Sequence, residues 1–202
     1  MATAYEALVV HPRLPELWPE YLVMQHAIIR ATVPLTKAAL TRSRELEHTD
    51  PLASPLSSYL AEHVDEELHH DETLLDDLEV LGVDRATVAE RMPTPAVAAL
   101  VGSQYYWILH YHPVSFLGFV AVMEGYPPTT ELIETLIDKT GYPREAFRTY
   151  IEHGELDPGH RDHLDRTVDS LPLAAWHESA LGVSAISTAG LAARGLEELV
   201  EE

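Results

Sequence analysis

The segment HGELDPGH, residues 153–160, sets His153, Asp157 and His160 at spacings of four and three residues. Residues so spaced share one face of a helix, so a helix through this segment would turn two imidazoles and a carboxylate the same way. The stretch HVDEELHHDETLLDDLEVLG, residues 63–82, repeats the theme, with His63, Glu67, His70, Leu74 and Asp77 on one stripe. Its Glu67-x-x-His70 spacing is the one by which helical bundles supply a carboxylate and an imidazole to a single metal ion. Glu124 closes the apolar run VSFLGFVAVMEG, where a carboxylate is costly to bury unless it is paired, metal-bound or at the surface. The chain has no cysteine, so a metal site must be built from imidazole, carboxylate and water, a donor set suited to iron, manganese or zinc. Together the three segments offer enough donors for two ions bridged by a carboxylate.

Each segment has a plainer reading beside this one. Asp157 can cap a fresh helix that starts at Pro158, leaving the histidines at the surface, because proline removes the bond to the Gly154 carbonyl and disfavours helical geometry at Asp157. Glu124 can be a solvated helix end beside Gly125. On the second segment Glu66 lies only about 100° from Glu67, so Glu66, Glu67 and His63 compete for the inward position.

The elements that must position these residues read as helices throughout. Apolar residues recur at three- and four-residue spacing, and the alternating β-branched runs that mark strands are absent. A first helical region is expected from about Pro15 to Glu47, kinked at Pro34, and a second from after Pro55 to a cap at Gly82. A short helix near 84–91 precedes TPAVAALVGSQYYWILHYH, which is apolar on most faces and reads as a central buried helix ended by Pro113. Helices over TTELIETLIDKTG, YPREAFRTYIEHGELD and HRDHLDRTVDSL follow, then a last one from about Leu173. Tyr105, Tyr106, Trp107, Phe116 and Phe119 are candidates to line a cavity, or plain core.

The 202 residues are expected to form one domain, residues 1–202. No apolar run approaches the length of a membrane helix and the N-terminus lacks the pattern of a signal peptide, so a cytoplasmic location with no membrane partner is expected. The 33 acidic and 13 basic residues give a formal charge of −20, which repels nucleic acid.

On HVDEELHHDETLLDDLEVLG, HYHPVSFLGFVAVMEGYPP and HGELDPGH, spanning about residues 55–172, the sequence resembles the heme-oxygenase-like diiron oxidases and oxygenases. That family shares its fold with the metal-free quinone-biosynthesis oxidase PqqC and with thiaminase-like proteins. The resemblance implies an all-α, heme-oxygenase-like bundle of about seven helices and two Fe(II) ions per chain, with manganese an alternative. It implies that His153, Asp157 and His160 bind the second iron, that Glu124 bridges, and that His70 serves the first iron with Glu67, Glu66 or His63. It further implies O2 and a small amine, amino acid or fatty acid as substrates, N-oxygenation, desaturation or C–C cleavage as the reaction, and a homodimer. The competing expectations are a metal-free PqqC-like oxidase, a heme binder using His26, a ferritin-like store using Glu45 and His48, and a non-catalytic helical binding protein.

Overall fold

In the computed structural model, which describes residues 2–201, every regular element is helical. Ten α-helices run in chain order: α1 (Ala2–Val9), α2 (Leu14–Leu46), α3 (Ala53–Glu66), α4 (His70–Val80), α5 (Arg85–Glu90), α6 (Pro95–His110), α7 (Phe116–Met123), α8 (Thr130–Thr140), α9 (Arg148–Ser170) and α10 (Ala175–Glu201). Short 3-10 turns at Pro113–Ser115 and Arg144–Phe147 lead into α7 and α9. The count exceeds the expected seven or so: α1 stands before the first predicted helix and the second predicted helix is two, while the two helices predicted around HGELDPGH are one, α9.

Local chemistry sets most boundaries. The hydroxyls of Thr94 and Thr129 accept from the amides of Val97 and Leu132 and start α6 and α8. Gly141, at φ 70°, ends α8 in the left-handed conformation that glycine adopts without penalty. No proline breaks its helix: α2 continues through Pro19 and Pro34, and α9 through Pro158. Pro34 and Pro158 are both exposed, so neither forces a hydrogen-bonding gap into the core.

Two apolar clusters form the core. The larger gathers Ile28, Leu35 and Ala39 of α2 with Leu56 and Leu60 of α3, Leu100 and Ile108 of α6, and Phe116, Leu117 and Val120 of α7. The smaller joins Leu8, Trp18, Leu22, Leu74, Leu78, Leu136 and Phe147. Helix α9 leaves the smaller cluster at Phe147 and reaches the larger at Leu164, so residues 153–160 span the seam between them. Helices α7 and α10 cross so closely at Gly118 that a β-carbon there would lie 2.3 Å from the carbonyl oxygen of Leu181.

The aromatic candidates for cavity lining or core divide between core and surface. Phe116 and Phe119 stack at 5.3 Å inside the larger cluster, whereas Tyr106 is 57% exposed. A helix that is apolar on most faces was expected to be central, but α6 turns Tyr106 and Leu109 outward.

Candidate metal centre

The predicted second helix breaks after Glu66. His69 takes a left-handed conformation, φ 73°, the only positive φ at a non-glycine residue among those described. Such a conformation costs about 1–2 kcal/mol outside glycine, so surrounding packing has to impose it. The break changes which residues face inward. Glu67 becomes the residue that closes α3 and His70 the first of α4; Glu67 is buried and His70 largely covered, with the Glu67 carboxylate 3.4 Å from His70 Nδ1. Farther along α4 the stripe has rotated, so Asp77 turns away from this site and accepts the amides of Arg148 and Thr149 at 3.2 and 2.9 Å. It thereby caps the start of α9, the helix that carries residues 153–160.

His63, fully buried on α3, points Nε2 at Glu124 Oε1 (3.3 Å), while its Nδ1 lies 3.6 Å from the half-exposed Glu66. The rivalry on this helix therefore resolves geometrically: Glu67 and His63 face inward together and Glu66 stands behind His63. Glu124 follows the last turn of α7 and is 6% exposed, so it is not a solvated helix end. Gly125 next to it lets the chain turn away at once, since a β-carbon there would lie 2.2 Å from the Ala121 carbonyl.

On α9, unbroken through Pro158, the three predicted residues share one face. Asp157 is 3% exposed and does not act as an N-cap. Its Oδ1 lies 2.9 Å from His153 Nδ1 and 3.6 Å from His160 Nδ1, and His160 Nδ1 lies 4.0 Å from Glu124 Oε2. The rings of His70 and His153 meet edge to face at 4.8 Å. Glycine at 154 brings α9 against the turn that follows Glu124, where a β-carbon would approach the Pro128 carbonyl to 2.7 Å.

Six residues predicted from sequence thus leave polar atoms buried without a hydrogen bond: both nitrogens of His63, Glu67 Oε1, His70 Nδ1, Glu124 Oε2, His153 Nε2 and His160 Nδ1. These make up half of the unpartnered buried side-chain nitrogens and oxygens among the described residues, although the six occupy one small region. Buried polar groups are ordinarily satisfied, so a cluster of unsatisfied ones marks a place built for something else. His63, Glu67 and Glu124 each present a donor atom within 4.8 Å of the others.

The electrostatics agree. Burial, then the like charges of Glu67, Asp157 and Glu66, push the Glu124 carboxyl well above its ordinary range. Burial also works to raise Glu67 and Asp157, but the imidazoles close to them, His70 beside one and His153 and His160 beside the other, hold both below it. Three carboxylates crowd Glu124, a repulsion that a bound cation would relieve.

Sequence reasoning missed Tyr59. One turn before His63 on α3, its ring stacks on that imidazole at 5.5 Å, and the edge of His163 packs against it at 5.1 Å. Burial first, then Glu124, Glu66 and Glu67, push its phenol far above the ordinary value, so it stays protonated. The four-residue spacing from His63 was the available signal. His163 itself is partly exposed between Glu62 and Glu66, behind the site. Glu45 and His48 lie exposed at the end of α2, away from this cluster.

A second His/His/Asp group, Asp50, His112 and His177, has different chemistry. His112 Nδ1 accepts the Val114 amide and His177 Nδ1 the Ala174 amide, so each ring carries its proton on Nε2, and His112 donates it to Asp50 at 2.8 Å. A metal ligand at Nε2 instead usually donates from its other nitrogen, so this group reads as a knot tying three helix corners. Burial first, with Arg42 near His112 and His112 near His177, keeps both imidazoles below the ordinary histidine value. Depressed folded values mean that the contribution is full above about pH 6.5 and is lost as the pH falls below it. Thermal midpoints measured from pH 8 to 5 are expected to drop less steeply over the acid half in His177→Gln than in wild type; equal slopes would show that the knot is not pH-sensitive.

Three solved structures share the fold. A domain of unknown function with a heme oxygenase-like fold from Shewanella denitrificans OS217 superposes with a TM-score of 0.82 at 16% identity, over 97% of this chain and 82% of that one. A TenA homolog from Pseudomonas syringae pv. tomato DC3000 gives 0.73 at 12% identity, over 100% and 89%. A CADD-like protein of unknown function from Nostoc punctiforme PCC 73102 gives 0.71 at 16%, over 98% and 86%. No curated protein sequence matches. The bundle is therefore heme-oxygenase-like, and no described helix is long and apolar enough to cross a membrane. The family model for iron-containing redox enzymes matches residues 20–189, a span that includes every residue of the buried cluster, and the chain belongs to that family.

Proposed function

We propose that the protein is a non-heme diiron oxidase or oxygenase acting with O2 on a small molecule. The observation that carries the reading is the placement of Glu124, whose two oxygens face opposite sides, Oε1 toward His63 and Oε2 toward His160. A carboxylate so placed can serve two ions at once. Glu67, His70, His63 and Glu124 would hold one iron, and Glu124, His153, Asp157 and His160 the other. Glu66, Glu67, Glu124 and Asp157 bring four carboxylates, which match the charge of two divalent ions, and the unpartnered nitrogens and oxygens supply the donors.

When bound, ferrous iron supplies the electrons that reduce O2. The protein's own groups prepare the site. Asp157 accepts the Nδ1 proton of His153 and leaves Nε2 free toward the interior, and Glu66 stands where it can do the same for His63. Tyr59, held protonated, can donate from the shell around the carboxylates, while the two core clusters on either side keep bulk water out. The substrate class remains that implied by the resemblance: an amine, amino acid or fatty acid.

His160→Ala tests the reading. The variant is expected to fold with a thermal midpoint close to that of the metal-free wild type, to bind about one Fe(II) in place of about two, and to lose oxygen reactivity. Full iron content and full oxygen reactivity in this variant would overturn it.

A further inference from the structure

Away from the buried cluster, a cleft of about 320 Å³ opens between α2, the Arg91–Thr94 turn and α10, and it contains none of the residues assigned to iron. Its volume falls within the range of small-molecule sites. Val23, Met24, Ala27, Val97 and Leu199 make its lining largely apolar. Its charged groups are matched with one exception. Glu20 pairs with Arg91 and Glu198 with Arg194, but Arg30 has no carboxylate partner among the described residues, in a chain with 33 acidic residues. His26, only 6% exposed, lines the same wall and forms no hydrogen bond among the described residues.

We infer that this cleft binds a small amphipathic monocarboxylate, its head on the Arg30 guanidinium beside His26 and its apolar body over Met24, Ala27 and Val97. A planar guanidinium pairs with a carboxylate through two parallel hydrogen bonds, and apolar surface next to it favours a hydrocarbon over water. The overall negative charge does not forbid an anion here, because charges beyond about 8 Å are screened at physiological salt whereas Arg30 is in contact. Burial, then Arg30, keeps His26 below its ordinary value, so the ring is neutral and can donate to a second carboxylate oxygen. Gly195 forms part of the floor. A β-carbon there would come within 3.3 Å of Met24 Sδ, so a larger residue at 195 takes space from the ligand.

The probe is octanoate, titrated calorimetrically into iron-loaded protein, with octanol and octylamine as comparisons. Saturable one-to-one binding of octanoate is expected, weaker by about tenfold or more in Arg30→Gln, since hydrogen bonds to charged groups carry that much. Gly195→Val is expected to abolish it, with the iron content of both variants at the wild-type level. Octanoate bound equally by wild type and Arg30→Gln would place it on iron or elsewhere and overturn the inference. Octanol bound as tightly as octanoate would overturn carboxylate recognition, and so would the absence of saturable binding. None of these outcomes bears on the diiron reading, whose test is iron content.

Discussion

Glu124→Gln is expected to raise the stability of the metal-free protein while removing its capacity for two irons. The two effects have opposite signs because one carboxylate is poorly matched to its surroundings without a cation and well matched with one. Burial and the neighbouring carboxylates raise the Glu124 carboxyl in the fold. An acid with a raised folded value favours folding only below its unfolded value, and its charge opposes folding as the pH rises above that. At neutral pH the amide keeps the shape and removes the charge, so the metal-free variant should gain about 1–3 kcal/mol, the scale of an uncompensated buried polar group. The gain should shrink as the pH approaches 4. Iron content should fall from about two to one or fewer per chain, with oxygen reactivity lost. A side chain that merely fills the core would behave otherwise: its replacement would lower the thermal midpoint and leave metal content unchanged. Differential scanning calorimetry of metal-free samples, paired with iron analysis of loaded ones, separates the two.

The second large effect is structural. Gly118→Ala places a β-carbon 2.3 Å from the Leu181 carbonyl and 2.9 Å from the Ala185 amide, both main-chain atoms that cannot swing aside. Helices α7 and α10 must separate, at a cost of about 3 kcal/mol, the upper part of the usual range for overpacking. In a chain of this size that lowers the thermal midpoint by about 6–12 °C. Because Glu124 directly follows α7, iron content should fall as well. Gly102→Ala provides the contrast. An added β-carbon there has nothing within 4 Å, so the variant should be as stable as wild type or better, alanine being the stronger helix former. A Gly118→Ala protein with wild-type melting would mean that α7 and α10 do not approach as closely as described.

Most of the residues in the buried cluster were legible in the sequence because their spacings match helical geometry and α9 is regular. His153, Asp157 and His160 share a face for the reason their spacing suggested, and Pro158, on the exposed side of α9, did not interrupt them. The stretch 63–82 was read less well. HVDEELHHDETLLDD contains no glycine or proline, so nothing local announces the break at His69, which tertiary packing imposes. Without that break Asp77 belongs to the inward stripe, whereas in the fold it caps α9. The choice of His63 beside Glu67, with Glu66 behind, likewise needs the approach of α7 and Glu124, a contact across about sixty residues of sequence that periodicity does not carry. The aromatic residues of α6 and α7 had two readings, cavity lining or core, and Phe116 and Phe119 took the second, because hydrophobicity reports how much apolar surface a helix has, not which side its neighbours cover.

The central claim is most directly tested by anaerobic titration of Fe(II) into metal-free protein, followed by rapid mixing with oxygenated buffer while the visible spectrum is recorded. Saturation at about two irons per chain and a transient visible band are the results expected of a site in which Glu124 serves both ions. Saturation at one iron or none, with no spectral change on mixing, would contradict the diiron assignment and leave the buried cluster without its proposed occupant.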